Sequence, residues 1–148
     1  MIRFLGIIIA LTTGILATEN QKGVEGLSGD TRSLLAEEMR HIEKGMHSIF
    51  SNIVKGEYEE ISKMATDIHD SFIFTKSLTQ AQREELKTNL PQGFIELDRS
   101  FHATAGKLSE AAEFEEKKAV EENFSKMMGL CVQCHSTYAT QRFKTFSE

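Results

Sequence analysis

The apolar residues Leu35, Met39, Ile42, Met46, Ile49 and Ile53 recur at alternating steps of four and three, a seam about five turns long. Such spacing gives a helix one narrow apolar stripe and leaves its other sides polar. The rhythm returns in Tyr58, Ile61, Met64, Ala65, Ile68 and Phe72, then in Phe94, Leu97, Phe101, Thr104, Leu108 and Ala111. It closes with Val120, Phe124, Met127, Cys131, Cys134 and Tyr138. Narrow stripes bury themselves by packing against one another at small crossing angles. The fold class this predicts is all-α, an antiparallel four-helix bundle.

The punctuation agrees with four long helices. Asp30 is placed to cap the first, since its carboxylate can accept from free amides of the first turn, and Gly56 in Lys55-Gly56-Glu57 is a stop. Thr79 caps a short helix running to Thr88, inside a crossover that ends at Asn89-Leu90-Pro91. Pro91, the only proline, suits the first turn of the next helix. Residues 21–29 carry three glycines and no periodicity, so 18–29 reads as a flexible lead-in to one bundle domain over 30–148. No internal repeat or second domain is visible.

Within the last stripe lies Cys131-Val132-Gln133-Cys134-His135. Cys-x-x-Cys-His is the attachment signature of a c-type haem. Each thiol can add across one vinyl group of the porphyrin, and the histidine is then placed to bind iron from one face. Residues three and four apart share a helix face, so Cys131, Cys134 and His135 can all meet one flat macrocycle. Other uses of the pair fit less well. A thioredoxin-like redox motif belongs beside a βαβ pattern, and the chain shows no convincing strand. A structural zinc site wants four protein ligands, but the chain has two cysteines and no histidine after His135. A disulfide between them would close a very small loop and leave His135 unexplained.

The N-terminus points the same way. Met1-Ile2-Arg3 is followed by an apolar run over 4–17 and then by polar Thr18-Glu19-Asn20-Gln21. A run this short after one Arg reads as a secretory signal peptide over 1–17, not a membrane-spanning helix. Cleavage after Ala17 would leave no stable membrane span. Covalent haem attachment belongs outside the bacterial cytoplasm, so the expected location is the periplasm. The remaining ~130 residues suit a single core. The chain carries 17 basic and 22 acidic residues, a formal charge of −5. Nucleic acid is therefore excluded as a natural partner, whereas a basic docking protein suits the surface.

A haem motif on the last of four helices resembles the class II c-type cytochromes, the cytochrome c′ family; cytochrome c′ is itself a standard example of the four-helix bundle. The resemblance covers roughly 31–143. Beyond the motif it rests on Lys55-Gly56-Glu57, on Lys107-Leu108-Ser109-Glu110-Ala111-Ala112 and on Tyr138 three residues past His135. The chain departs in carrying Ala139 where the family often has a basic residue, with Arg142 one turn later. Its first helix is also one residue longer between the central methionine and Lys55.

The resemblance implies two functional branches. In one, an apolar residue of the first helix faces the iron, which stays five-coordinate and binds NO or CO. In the other, a first-helix methionine ligates the iron and the protein carries single electrons without being an enzyme. By this likeness the cofactor is one covalent haem c, held by Cys131 and Cys134, with His135 as proximal ligand. Met39 is the expected distal ligand, with Met46, two turns further along the same face, in reserve. Methionine on a helical stripe is otherwise adaptable core filler, and the same stripes without haem would make a secreted helical bundle. Of the other histidines, His41, His47, His69 and His102 read as surface or rim residues, with His47 the one alternative ligand. The runs Glu37-Glu38, Glu57-Glu59-Glu60 and Glu113-Glu115-Glu116 read as solvated faces. Phe50, Phe72, Phe94, Phe101, Phe124 and Tyr138 read as core. A redox protein is the expected partner, and monomer and homodimer are both open.

Overall fold

A computed structural model describes residues 23–73 and 78–146. The expected signal peptide lies outside the described residues. Five helices follow one another: α1 (Gly29–Lys55), α2 (Tyr58–Asp70), α3 (Gln80–Asn89), α4 (Gln92–Glu113) and α5 (Lys117–Tyr138), with short 3₁₀ turns at Val24–Gly26 and Lys144–Phe146. The described residues contain no strand. The four long helices form the bundle, and α3 lies in the crossover between α2 and α4.

Local chemistry explains the boundaries. The N-cap of α1 is Ser28, not Asp30: the Ser28 hydroxyl accepts from the Thr31 amide at 3.4 Å. Asp30 instead lies in the first turn, where a negative charge favours the helix dipole. Leu27, in the expected lead-in, is buried against Leu35, Leu86 and Phe94. At its other end α1 stops at Gly56, whose φ of 75° is the left-handed conformation that glycine adopts without penalty. Thr79 and Gln82 form a reciprocal capping box on α3. The turn into α5 uses Glu115 at φ 53°, with the Glu116 amide bonded to the Ala111 carbonyl.

The core has two parts. The larger joins Ile42 and Ile49 of α1, Ile61, Ala65 and Ile68 of α2, Phe101, Ala105 and Leu108 of α4, and Val120 and Met127 of α5. The smaller, towards the crossover, joins Leu27, Leu35, Ile73, Leu86, Leu90 and Phe94. α2 packs most extensively on α4 and α4 on α5, whereas α1 and α5 meet at few positions. A neighbouring pair of helices is thus left loosely closed along one side of the bundle.

The deepest row of α1 is Thr31, Leu35, Glu38, Ile42, Gly45 and Ile49. This shifts the expected stripe at two places. Glu38 and Gly45 occupy the core row, and Met39 and Met46 lie half-buried on its flank. Gly45 is there because α2 comes close: a Cβ at that position would lie 2.8 Å from Ile68 Cδ1. Phe50, expected in the core, is 59 % exposed and stacks on Phe124 at 6.3 Å between centroids.

Candidate haem site on helix α5

The haem motif occupies the C-terminal part of α5, and both cysteines and His135 are half-buried there. The fully buried residues of α5 are Val120 and Met127, so beyond Met127 none of its side chains is completely enclosed. Cys131 packs against the larger core cluster and Cys134 against the smaller one, together with Tyr138. The two thiols therefore straddle the junction of the clusters. Met39 is the one residue among those described that packs against both. Met46 touches only the larger cluster.

Burial shapes the chemistry of these groups. It pushes both thiols up to about 11, with the charge of Asp98 adding to the effect at Cys134. Both cysteines are free. Burial, and then the nearby Arg142 charge, hold His135 below the ordinary imidazole value. A neutral imidazole is the form that binds a metal. The His135 ring stacks on Phe143 at 4.6 Å and 23°, and the Arg142 guanidinium lies 5.8 Å from the centre of the Phe143 ring. Tyr138 turns its edge to Phe94 at 5.7 Å, with its hydroxyl over Gly93.

The donor set fits a covalent haem. Two thiols and an imidazole stand three and four residues apart on α5, where they share a helix face, Met39 and Met46 lie half-buried on the flank of α1, and the core clusters pack against Met39 and both thiols. The shallow hollows lined by Phe114 and Asn123 and by Val54 and Lys117 lie at the α4–α5 and α1–α2 turns respectively, away from the motif.

The residues that sequence periodicity passed over are Glu38, Asp98 and His102, which are 0 %, 7 % and 3 % exposed. Glu38 is not part of a solvated face, and His102 is not a rim residue. The His102 Nδ1–H donates to the Ile68 carbonyl at 2.7 Å. Its Nε2 lies 3.7 Å from Glu38 Oε1 and 3.6 Å from Asp98 Oδ1. Burial lowers the His102 pKa, but Asp98, the Ile68 carbonyl and Glu38 together raise it further, so the net shift is upward. The signal was an i, i+4 pair, Asp98 and His102, each directly after a residue of the apolar stripe, Leu97 and Phe101. His69 is exposed as expected, although its Nδ1–H donates to the His102 carbonyl at 2.9 Å. His41 and His47 are both exposed.

No curated protein and no solved structure matches the chain. The family model described as Cytochrome C′ matches residues 32–139, from the first turn of α1 to the end of α5. Proteins of that family carry covalently attached haem c with its iron, and the only cysteines here are the two of the motif. With its helical bundle and its single Cys-x-x-Cys-His, the chain belongs to the cytochrome c′ family of c-type cytochromes.

Proposed function

We propose that this protein is a periplasmic monohaem cytochrome that passes single electrons, with its iron between His135 and Met39. Cys131 and Cys134 hold the haem by two thioethers in this reading. The position of Met39 carries the proposal: among the described residues it alone packs against both core clusters, and those clusters separately receive Cys131 and Cys134. When bound, haem iron supplies a one-electron couple whose potential is raised by histidine–methionine ligation.

The chain's residues do the remaining work. Phe143 stacks on the His135 ring at 4.6 Å and would restrain its rotation. Met39 reaches the site from a helix whose deeper row is packed on α2 and α4, so the sulfur moves little when the charge changes. Apolar side chains of both clusters adjoin Met39 and the two thiols, and by limiting water around the haem they would keep the reorganisation accompanying electron transfer small. No substrate bond is made or broken, so the protein is not an enzyme in this reading. The formal charge of −5 suits docking on a basic redox protein. Export is supported by the apolar run after Arg3. Among the described residues no helix is long and apolar enough to cross a membrane.

The other branch of the family, a five-coordinate gas binder, is separated by visible spectra of the haem-loaded protein, oxidised and reduced, with and without CO. The expected wild type is low-spin in both states and unresponsive to CO. Met39→Leu opens the sixth position and binds CO, whereas Met46→Leu leaves the spectrum unchanged. A high-spin wild type that shifts with CO would establish the gas-binding branch and reduce Met39 to packing.

A further inference from the structure

Glu38 immediately precedes Met39, and α1 turns about 100° per residue. The direction of the Glu38 side chain therefore sets that of Met39. Glu38 points into the bundle, fully buried, with Oε1 3.7 Å from His102 Nε2. His102 is itself held by its hydrogen bond to the Ile68 carbonyl of α2 at 2.7 Å, with Asp98 Oδ1, one turn back on the same helix α4, 3.6 Å from its Nε2. Phe72 and Phe101 close on its ring, with centroids at 5.2 and 5.5 Å. One imidazole thus joins α1, α2 and α4 at the level of Met39.

The cluster is not built for a cation of its own: among the described residues no three of His, Cys, Asp and Glu are disposed to hold a metal ion. As a stabilising device it is also poor, because burying charged groups costs more than an apolar contact of the same size. In some proteins a directional buried contact instead provides uniqueness of arrangement. The apolar contacts of Leu35, Ile42 and Ile49 hold α1 on its neighbours but are non-directional, so a small rotation or slide costs them little, and the few contacts between α1 and α5 add no further restraint on that side. A carboxylate aimed at a held imidazole does not tolerate either movement.

We propose that the Glu38–His102 contact positions Met39, fixing the rotation of α1 so that the thioether faces the motif on α5. Neither residue is a ligand; both act through the α1 backbone. This rests on the reading of Met39 as distal ligand, and the test separates the two. Haem-loaded wild type, Glu38→Leu, His102→Gln and Ser109→Ala are compared by CO binding and by thermal melting. Ser109 ties α2 to α4 through the Ser62 and Thr66 hydroxyls, at 3.0 and 2.8 Å, and serves as a structural control.

Glu38→Leu removes the buried charge and is expected to melt at or above the wild-type temperature. It should nevertheless show a CO-binding fraction at least tenfold above wild type. His102→Gln keeps an N–H for Glu38 and is expected to behave as wild type towards CO. Ser109→Ala should melt lower without binding CO. A Glu38→Leu protein that stays closed to CO overturns the inference while leaving Met39 as ligand. So does a CO response that accompanies lowered melting equally in Glu38→Leu and Ser109→Ala. A wild type that binds CO overturns the Met39 reading, and this inference with it.

Discussion

In the haem-free folded chain, burial should make the two attachment thiols poor nucleophiles. Their pKa stands at about 11, against an ordinary 9.0. At pH 8 the thiolate fraction then falls from about one in ten to about one in a thousand, and only the thiolate reacts. The more basic thiolate is intrinsically the better nucleophile, which returns about tenfold at the usual Brønsted slope. The net expectation is at least about tenfold slower alkylation than in the unfolded chain at pH 8, with steric burial slowing it further. The assay is iodoacetamide labelling of haem-free protein, followed by mass, with and without denaturant. The native rate should climb about tenfold per pH unit and level off only near 11. Equal native and denatured rates, or a plateau near 9, would refute the argument. Stability follows with a definite sign. Because the folded value is raised above the unfolded one, this contribution is full below about pH 9 and is lost as pH rises to about 11. In the haem-loaded chain the sulfurs no longer titrate, so that alkaline loss should disappear.

Gly45→Ala adds a Cβ 2.8 Å from Ile68 Cδ1. Overpacking of about 2 kcal/mol against about 1 kcal/mol of improved helix propensity predicts a net loss of ~1 kcal/mol in urea melts. Ile68→Val should recover most of it in the double mutant, and simple additivity would sink the explanation. Glu85 accepts from the Ser28 amide, from the Ser28 hydroxyl at 2.9 Å and from the Thr31 hydroxyl at 2.5 Å, joining α3 to the start of α1. The Thr31 bond first, and then those from Ser28, hold its carboxyl below the ordinary 4.5. A depressed value gives stability that is present above pH 4.5 and lost as pH falls through the folded value. Hydrogen exchange of α3 amides, corrected for intrinsic rates, should therefore show local loosening below that pH, and Glu85→Gln should remove the pH dependence.

The bundle was readable because apolar period is a local property and helices pack by their stripes. The four long helices, the short helix in the crossover, the Thr79 cap and the Gly56 stop all follow from residues that act within one turn of themselves. The register of α1 was less readable. From Leu35 a step of three reaches Glu38 and a step of four reaches Met39, and an apolar scan takes the methionine. The buried choice is the glutamate, because a histidine from α4 meets it there. That partner is far away in sequence, so its effect cannot be seen in the stripe. The same holds for Asp98 and His102, polar residues made internal by one another. Phe50 adjoins Ile49 in the chain but turns outward with the helix. One hydroxyl residue just before α1 was also passed over: Ser28 takes the cap expected of Asp30, and Glu85 of α3 secures it from the other side.

The spacing between helices has a consequence for how the chain assembles. Only Gly56 and Glu57 separate α1 from α2, and only 114–116 separate α4 from α5, whereas 71–91 lie between α2 and α4. Closing a loop costs entropy that grows with its length, and contacts near in sequence form faster than distant ones. The molecule is thus two helical hairpins that can form independently and then dock along α2 and α4. Docking brings together the remaining two helices, the most distant in sequence, and these carry Met39 and the Cys-x-x-Cys-His motif. Met39 is on one hairpin and the Cys-x-x-Cys-His motif on the other, so the second half of the chain can present its thiols before the first half closes over them.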